Sequence, residues 1–161
     1  MPAYPVLFGF RMSVAGKGFL AGIHIDGRAL LEEEDGAWWA YGVDPGPFAA
    51  SGTTPIEAFQ AFRQSVLEVL FDSASLTENY ESFEADVRKI FTQRSEEDAA
   101  RWEAARRDIR EGRVTPEAPF DALPQNTDVF TPNLIVVQLD KVESQRFSPS
   151  DNHVDQLAAA A

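Results

Sequence analysis

The chain has 161 residues, enough for one domain with a sizeable core, and its formal net charge is −12. A chain this acidic repels phosphate backbones, which makes nucleic acid a poor partner and a basic protein a good one. The sequence contains no cysteine, which excludes disulfides, thiol catalysis and cysteine-ligated metals. No apolar run approaches the ~18 residues of a membrane span, and the start lacks a signal-peptide pattern, so we expect a cytoplasmic protein.

The first part of the sequence predicts an antiparallel sheet. Residues 1–16 are expected to be strand only in part. Two Asp-Gly pairs follow, each flanked by apolar and β-branched residues, and Asp-Gly supplies the positive φ angles that a type I′ hairpin turn requires. Turns at Asp26-Gly27 and Asp35-Gly36 therefore predict a three-stranded meander over 18–43. A short fourth strand is expected at 48–51.

The stretch after the strands predicts a helix that covers the sheet. Thr54 is an N-cap candidate, Pro55 occupies the first helical position, and Glu57 falls three residues after Thr54, as in a capping box. Apolar residues then recur every three or four positions, which is typical of one helix face: Ile56, Phe59, Phe62, Val66, Val69 and Leu70. We expect the helix to end near Asp72 or Ser73.

The turns also predict which face of the sheet each tryptophan takes, because side chains alternate along a strand. With two-residue turns at both Asp-Gly pairs, Trp39 shares a face with Ile23 and Ile25, which we expect to be the core beneath the helix. Trp38 then lies on the opposite face. The residues predicted to bind a partner all lie on that opposite face: Leu20, His24, Leu31, Glu33 and Trp38. The alternative is that the protein's own later helices cover this face.

The rest of the chain predicts a helical extension over 76–112 and a looser end. Two helices are expected in the extension, starting near Thr77 and Ser95. Residues 113–161 contain a proline-rich connector, a good strand at 134–142 and a tail expected to be flexible. A lone strand must add to an edge, so 134–142 either extends the same sheet or pairs with a second copy, and we favour the homodimer.

The sequence offers little for catalysis or metal binding. His24 and His153 are the two histidines, and neither has an acid–base partner at motif spacing. The acidic run 32–35 could bind a cation only if the turn folded it together, since consecutive strand residues point to opposite faces. No nucleophile turn is recognisable. We therefore predict no enzymatic activity, no cofactor and no metal.

The run from Leu30 to Leu70 resembles the N-terminal domain of the HicB-like antitoxins. The matching motifs are LLEEEDGAWWAYGVDPG, AASG and TTPIEAF. They follow the family order of strand, Asp-Gly turn, aromatic-Ala-Tyr strand, Pro-Gly loop, short strand and capped helix. The resemblance implies a partial double-stranded-RNA-binding-domain-like fold that binds and masks a small toxin ribonuclease.

Together these patterns predict an α+β domain over 1–75, an antiparallel meander of three or four strands covered on one face by the capped helix. The helical extension and the late edge strand follow it. The function favoured is a non-enzymatic protein–protein interaction module that masks a small basic protein, with no direct binding of nucleic acid or membrane. The alternative is a small-molecule or peptide-binding domain with a pocket under the C-terminal helices.

Overall fold

The computed structural model describes residues 2–121, 130–141 and 158–160. They form an α+β fold in which three helices pack on an antiparallel sheet, as the sequence predicts. The elements in chain order are β1 (Ala3–Gly16), β2 (Phe19–Glu34), β3 (Ala37–Asp44), β4 (Ala49–Gly52), α1 (Pro55–Leu76), α2 (Tyr80–Phe91), α3 (Glu96–Arg110), β5 (Asn133–Gln138) and β6 (Ala158–Ala160). The strand order is β4-β3-β2-β1-β6, and β5 also pairs with β2.

Strand β1 is longer and more regular than the sequence analysis expected. It spans 14 residues and pairs antiparallel with β2 along its whole length, from Ala3 opposite Glu32 to Gly16 opposite Phe19. Every second residue is apolar and buried: Tyr4, Val6, Phe8, Phe10, Met12 and Val14. This alternation is the pattern of a strand with one face on the core, and the β1–β2 pair forms the spine of the sheet.

The predicted turn at Asp26-Gly27 is wrong, because β2 runs through both residues without interruption. Neither residue has a positive φ, and they pair with Gly9 and Phe8 of β1. Gly27 is required for a different reason: a Cβ there would lie 2.1 Å from the carbonyl oxygen of Asp44. The meander is therefore β1-β2-β3. The two strands predicted on either side of Asp26-Gly27 are one continuous strand, β2, and the first strand of the meander is β1.

The second predicted turn and the helix that follows are confirmed. Asp35 and Gly36 have φ angles of 52° and 80°, as a type I′ turn requires. The Oγ1 atom of Thr54 accepts a hydrogen bond from the backbone N–H of Glu57 at 3.2 Å, so Thr54 is the N-cap of α1. The helix continues to Leu76, a few residues beyond the predicted end.

The three helices lie on two faces of the sheet. Helices α1 and α2 share one face, where Phe59, Phe62 and Phe83 belong to the main core. Helix α3 lies on the opposite face and forms a smaller core around Trp102. The predicted helical extension is therefore packed against the sheet, with α2 and α3 on opposite sides of it.

The late strand β5 pairs within its own chain. Residues 133–138 lie antiparallel to residues 21–26 of β2, on the edge that β3 occupies farther along. A short 3-10 turn at Leu139–Lys141 follows where the sequence analysis expected the strand to continue. The homodimer through 134–142 stays a prediction. Of the predicted flexible tail, 148–161, residues 148–157 and 161 lie outside the described residues, whereas Ala158–Ala160 form β6 and pair with β1.

Candidate functional site

The predicted partner-binding residues do not form one surface. Leu31 and Trp38 are buried in the main core, with 0% and 7% of their surfaces exposed, and Glu33 lies on the same face. Leu20 and His24 lie on the other face of β2, because the strand does not turn at Asp26-Gly27. The expected common face is therefore wrong, and two of its five members are not accessible to a partner.

Trp38 is the structural tryptophan. Its ring lies 5.0 Å from that of Tyr4, and both belong to the core that α1 closes. The sequence predicts this role for Trp39 instead, and that prediction is wrong. Since the missing turn reverses the faces of residues 28–43 relative to the start of β2, the roles of the two tryptophans are exchanged.

Trp39 is half-buried and lies on the same side of the sheet as α3. Its ring stacks on that of Tyr41, two residues along β3, with 6.0 Å between ring centroids and 10° between ring planes. Ser51 and Ala49 are their exposed neighbours on the edge strand β4. Trp39, Tyr41, Ala49 and Ser51 thus share one face of the sheet, and we call this surface the aromatic shelf.

Carboxylates border the aromatic shelf. Glu32 pairs with Trp39 across the strands, which places it on the same face. Glu34 Oε1 accepts a hydrogen bond from the Tyr41 hydroxyl at 2.9 Å. Asp98 reaches the same cluster from α3. We call Glu32, Glu34 and Asp98 the acidic rim.

One guanidinium joins the acidic rim to the shelf. Arg101 of α3 donates from Nη1 to Asp98 at 2.7 Å, and its Nη2 contacts Glu32 and lies 3.9 Å from Glu34. Its Cζ atom lies 5.3 Å from the centroid of the Tyr41 ring, a cation–π distance. Three carboxylates thus surround one arginine, which leaves negative charge in excess beside the shelf.

The chemistry of Tyr41 reflects this setting. Burial, together with the hydrogen bond to Glu34 and the nearby negative charges, raises the pKa of Tyr41 to about 12. The hydroxyl therefore stays protonated at neutral pH and holds the Glu34 carboxylate at the shelf.

A second exposed surface lies at the other end of β2. Ile135 and Val137 of β5 are 45% and 36% exposed, and they share a face with Leu20 and His24. His24 Nε2 lies 3.1 Å from the carboxylate of Asp26. Two of the predicted partner-binding residues thus belong to this surface, which also carries the exposed apolar side chains of β5.

A cleft of about 210 Å³ opens between the ends of β3 and β5. Ile25, Phe91 and Leu134 provide apolar walls, and Asp44 contributes a carboxylate. Arg28 donates from Nε to Oδ2 of Asp44 at 2.7 Å, and both side chains are 9% exposed. The Asp44 carboxylate is therefore largely occupied by a buried ion pair, and the other polar residues that line the cleft are Asp26, Thr92, Gln93 and Asn133.

The described part of the chain contains no group of three or more His, Asp or Glu side chains that could hold a metal ion. Within it, no helix is both long and apolar enough to cross a membrane.

Comparisons with protein-family models, with curated proteins and with solved structures gave no significant match to this chain. The described elements from the end of β2 to α1 follow the order strand, turn, strand, short strand and capped helix. The resemblance of this run to the HicB-like antitoxins stays a prediction.

Proposed function

We propose that the chain is a non-enzymatic protein–protein interaction module, and that it binds a small basic protein through the aromatic shelf and its acidic rim. The observation that carries the proposal is the stacked, half-buried pair of Trp39 and Tyr41 beside three carboxylates that share one arginine. Tryptophan and tyrosine are enriched among the residues that contribute most to protein binding.

The charge of the chain supports a basic partner. A net charge of −12 attracts cationic proteins at long range and speeds their encounter with the acidic surface. The acidic rim then supplies short-range partners for lysine or arginine. Exposed ion pairs alone contribute little to binding free energy. The shelf therefore matters because it adds apolar area that such ion pairs lack.

The resemblance to the HicB-like antitoxins suggests what this partner is. It implies a small toxin ribonuclease that the chain masks in the cytoplasm. We adopt this as the specific form of the proposal, since a basic ribonuclease would satisfy both the charge and the shelf.

The proposal is tested by capture and reconstitution. Tagged full-length chain, its Trp39→Ala variant and its Phe71→Ala variant are used as baits in the source organism. Phe71 is a matched control, since it is 47% exposed but lies on α1, on the other side of the sheet. We expect wild type and Phe71→Ala to retain one basic protein that Trp39→Ala loses, and the purified pair to bind more weakly as salt increases.

Two outcomes would contradict the proposal at different levels. Equal retention by Trp39→Ala, or no basic partner at all, would remove the interaction site from the shelf. If the basic partner has no ribonuclease activity, or if the chain does not inhibit that activity, the antitoxin form of the proposal is refuted. The interaction module itself would stand.

A second candidate function is supported by the cleft beside Asp44. Its apolar walls fit a small organic molecule, which would make the chain a small-molecule or peptide-binding domain. We place it second because Arg28 already pairs with the Asp44 carboxylate. Native mass spectrometry of chain purified from its source tests it, since a resident ligand adds a fixed mass and an unmodified mass argues against one.

A further inference from the structure

We propose that the aromatic shelf recognises an arginine side chain of the partner, stacked on the ring of Trp39 and paired with the acidic rim. This inference rests on the proposed function and names the chemical group that the shelf selects. It predicts discrimination between arginine and lysine, which a merely acidic surface would not provide.

The chain itself contains the interaction that the proposal requires. Arg101 places its guanidinium 5.3 Å from the centroid of the Tyr41 ring while it pairs with Glu32 and Asp98. A planar cation thus lies over one ring of the shelf and contacts carboxylates at its edge. The same arrangement on the adjacent ring would use the same chemistry.

A second arginine repeats this arrangement elsewhere in the fold. Arg28 lies 5.1 Å from the centroid of the Trp102 ring and donates to Asp44 at 2.7 Å. Here the ring is an indole, as it is at Trp39. The combination of guanidinium, aromatic face and carboxylate therefore occurs with both ring types that the shelf presents.

The position of Trp39 suits a further guanidinium. Its ring is nearly parallel to that of Tyr41, with 6.0 Å between the ring centroids, and Arg101 already lies over the Tyr41 ring. Glu32 is its direct neighbour on β2, and Ser51, a small exposed residue, is its neighbour on β4. A side chain stacked on Trp39 would thus have the small Ser51 as its neighbour on β4 and the Glu32 carboxylate, which Arg101 already contacts, as its neighbour on β2.

Arginine fits this site better than lysine for two reasons. Its guanidinium is flat and weakly hydrated, so it stacks on an indole with little loss of hydration, whereas the ammonium of lysine is a strongly hydrated point charge. Its donors also form a fork that can pair with a carboxylate while the plane stays on the ring. An interaction with charge alone would not distinguish arginine from lysine, because both side chains carry one positive charge.

The test compares hexa-arginine with hexa-lysine, two peptides of equal charge, by calorimetric titration of the full-length chain at about 0.1 M salt, where long-range attraction is partly screened. We expect wild type to bind hexa-arginine roughly two- to fivefold more tightly, which is the effect of a cation–π contact at an exposed site. Trp39→Ala should bind both peptides with equal affinity. Trp39→Phe, which keeps an aromatic face, should retain part of the preference, and Phe71→Ala should retain all of it.

The outcomes separate this inference from the proposed function. Equal binding of the two peptides by wild type would overturn arginine recognition and leave a basic partner in place. A preference that survives in Trp39→Ala would also overturn it, because the selective ring would then lie elsewhere. Failure of wild type to bind hexa-arginine at all would overturn it directly, whereas the bait experiment still decides whether a basic partner exists.

Discussion

Trp38 and Trp39 are adjacent in sequence, and they differ in almost every physical respect. Trp38 is 7% exposed and packs against Tyr4 in a core that α1 closes, whereas Trp39 is half-buried and stacks on Tyr41 beside carboxylates. Alternation along β3 puts them on opposite faces, and the helices then cover those faces to different extents. The comparison shows that one sheet can bury one tryptophan in the core and leave its neighbour half-buried on the other face, where we propose that it binds a partner.

The largest effect is expected at Trp38. Trp38→Ala removes a large ring from a closed core, so we expect the free energy of unfolding to fall by about 4 kcal/mol. Denaturant unfolding followed by circular dichroism measures this loss. A loss no greater than that of Trp39→Ala would reverse the assignment of the two faces.

The next effect tests the continuity of β2, on which the comparison depends. Gly27→Ala would place a Cβ 2.1 Å from the Asp44 carbonyl oxygen, so backbone must shift, and we expect a loss of about 3 kcal/mol. Gly36→Ala is the contrasting variant, since a Cβ there meets no atom within 4 Å and only the positive φ opposes it. A milder effect at Gly27 than at Gly36 would favour a turn at Gly27 after all.

Truncation of Trp39, on the other face of the sheet, should lower the free energy of unfolding less than truncation of Trp38. Trp39 is half-buried beside an edge strand, so we expect Trp39→Ala to lower the free energy of unfolding by only about 1.5 kcal/mol. The same denaturant experiment decides it, and partner binding by the same variant should fall sharply. A loss as large as that of Trp38→Ala would mean that the shelf is part of the core, and the proposed binding surface would then be wrong.

Local signals in the sequence were enough to predict the elements that depend on nearest neighbours. The N-cap at Thr54 and the turn at Asp35-Gly36 each need only a few consecutive residues, and both are confirmed. Asp26-Gly27 has the same dipeptide and forms no turn. What differs is β1, which offers β2 a hydrogen-bonding partner across both residues, so tertiary pairing outweighs the local preference.

The candidate site was harder to predict because it depends on which side chains share one face of the sheet. One wrongly predicted turn moves every later side chain of the strand to the opposite face. The apolar alternation from Tyr4 to Val14 was present in the sequence and would have revealed β1, and with it the continuous β2. The contribution of Arg101 had no such signal. It reaches Glu32 across nearly 70 positions of sequence, a contact that only the packing of α3 creates.

A smaller effect is expected where α1 begins. Thr54→Ala removes the side-chain acceptor for the Glu57 N–H, so we expect a loss of about 1 kcal/mol. Thr54→Ser, which keeps the hydroxyl, should restore most of it. Helix α1 lies on the Trp38 face of the sheet and not on the shelf. The loss of stability should therefore leave partner binding at the shelf unchanged, and reduced binding would show that the two faces are coupled.

The last effect concerns pH and the hydroxyl of Tyr41 on the shelf. The pKa of Tyr41 is raised from 10.0 to about 12, first by burial and then by Glu34. A raised pKa means that the fold favours the protonated phenol. This contribution to stability is therefore complete below pH 10 and is lost as the pH rises toward 12.

The variant Tyr41→Phe isolates that contribution, because burial also raises the pKa of Tyr4 and Tyr80, and both remain in the variant. We expect wild type to lose more stability than Tyr41→Phe over this alkaline range, and ultraviolet absorbance to show one fewer late-titrating tyrosine in the variant. Identical alkaline profiles would mean that the Tyr41 hydroxyl is not held by Glu34. The acidic rim would then be free to move away from the shelf, and the preference for arginine at Trp39 should weaken with it.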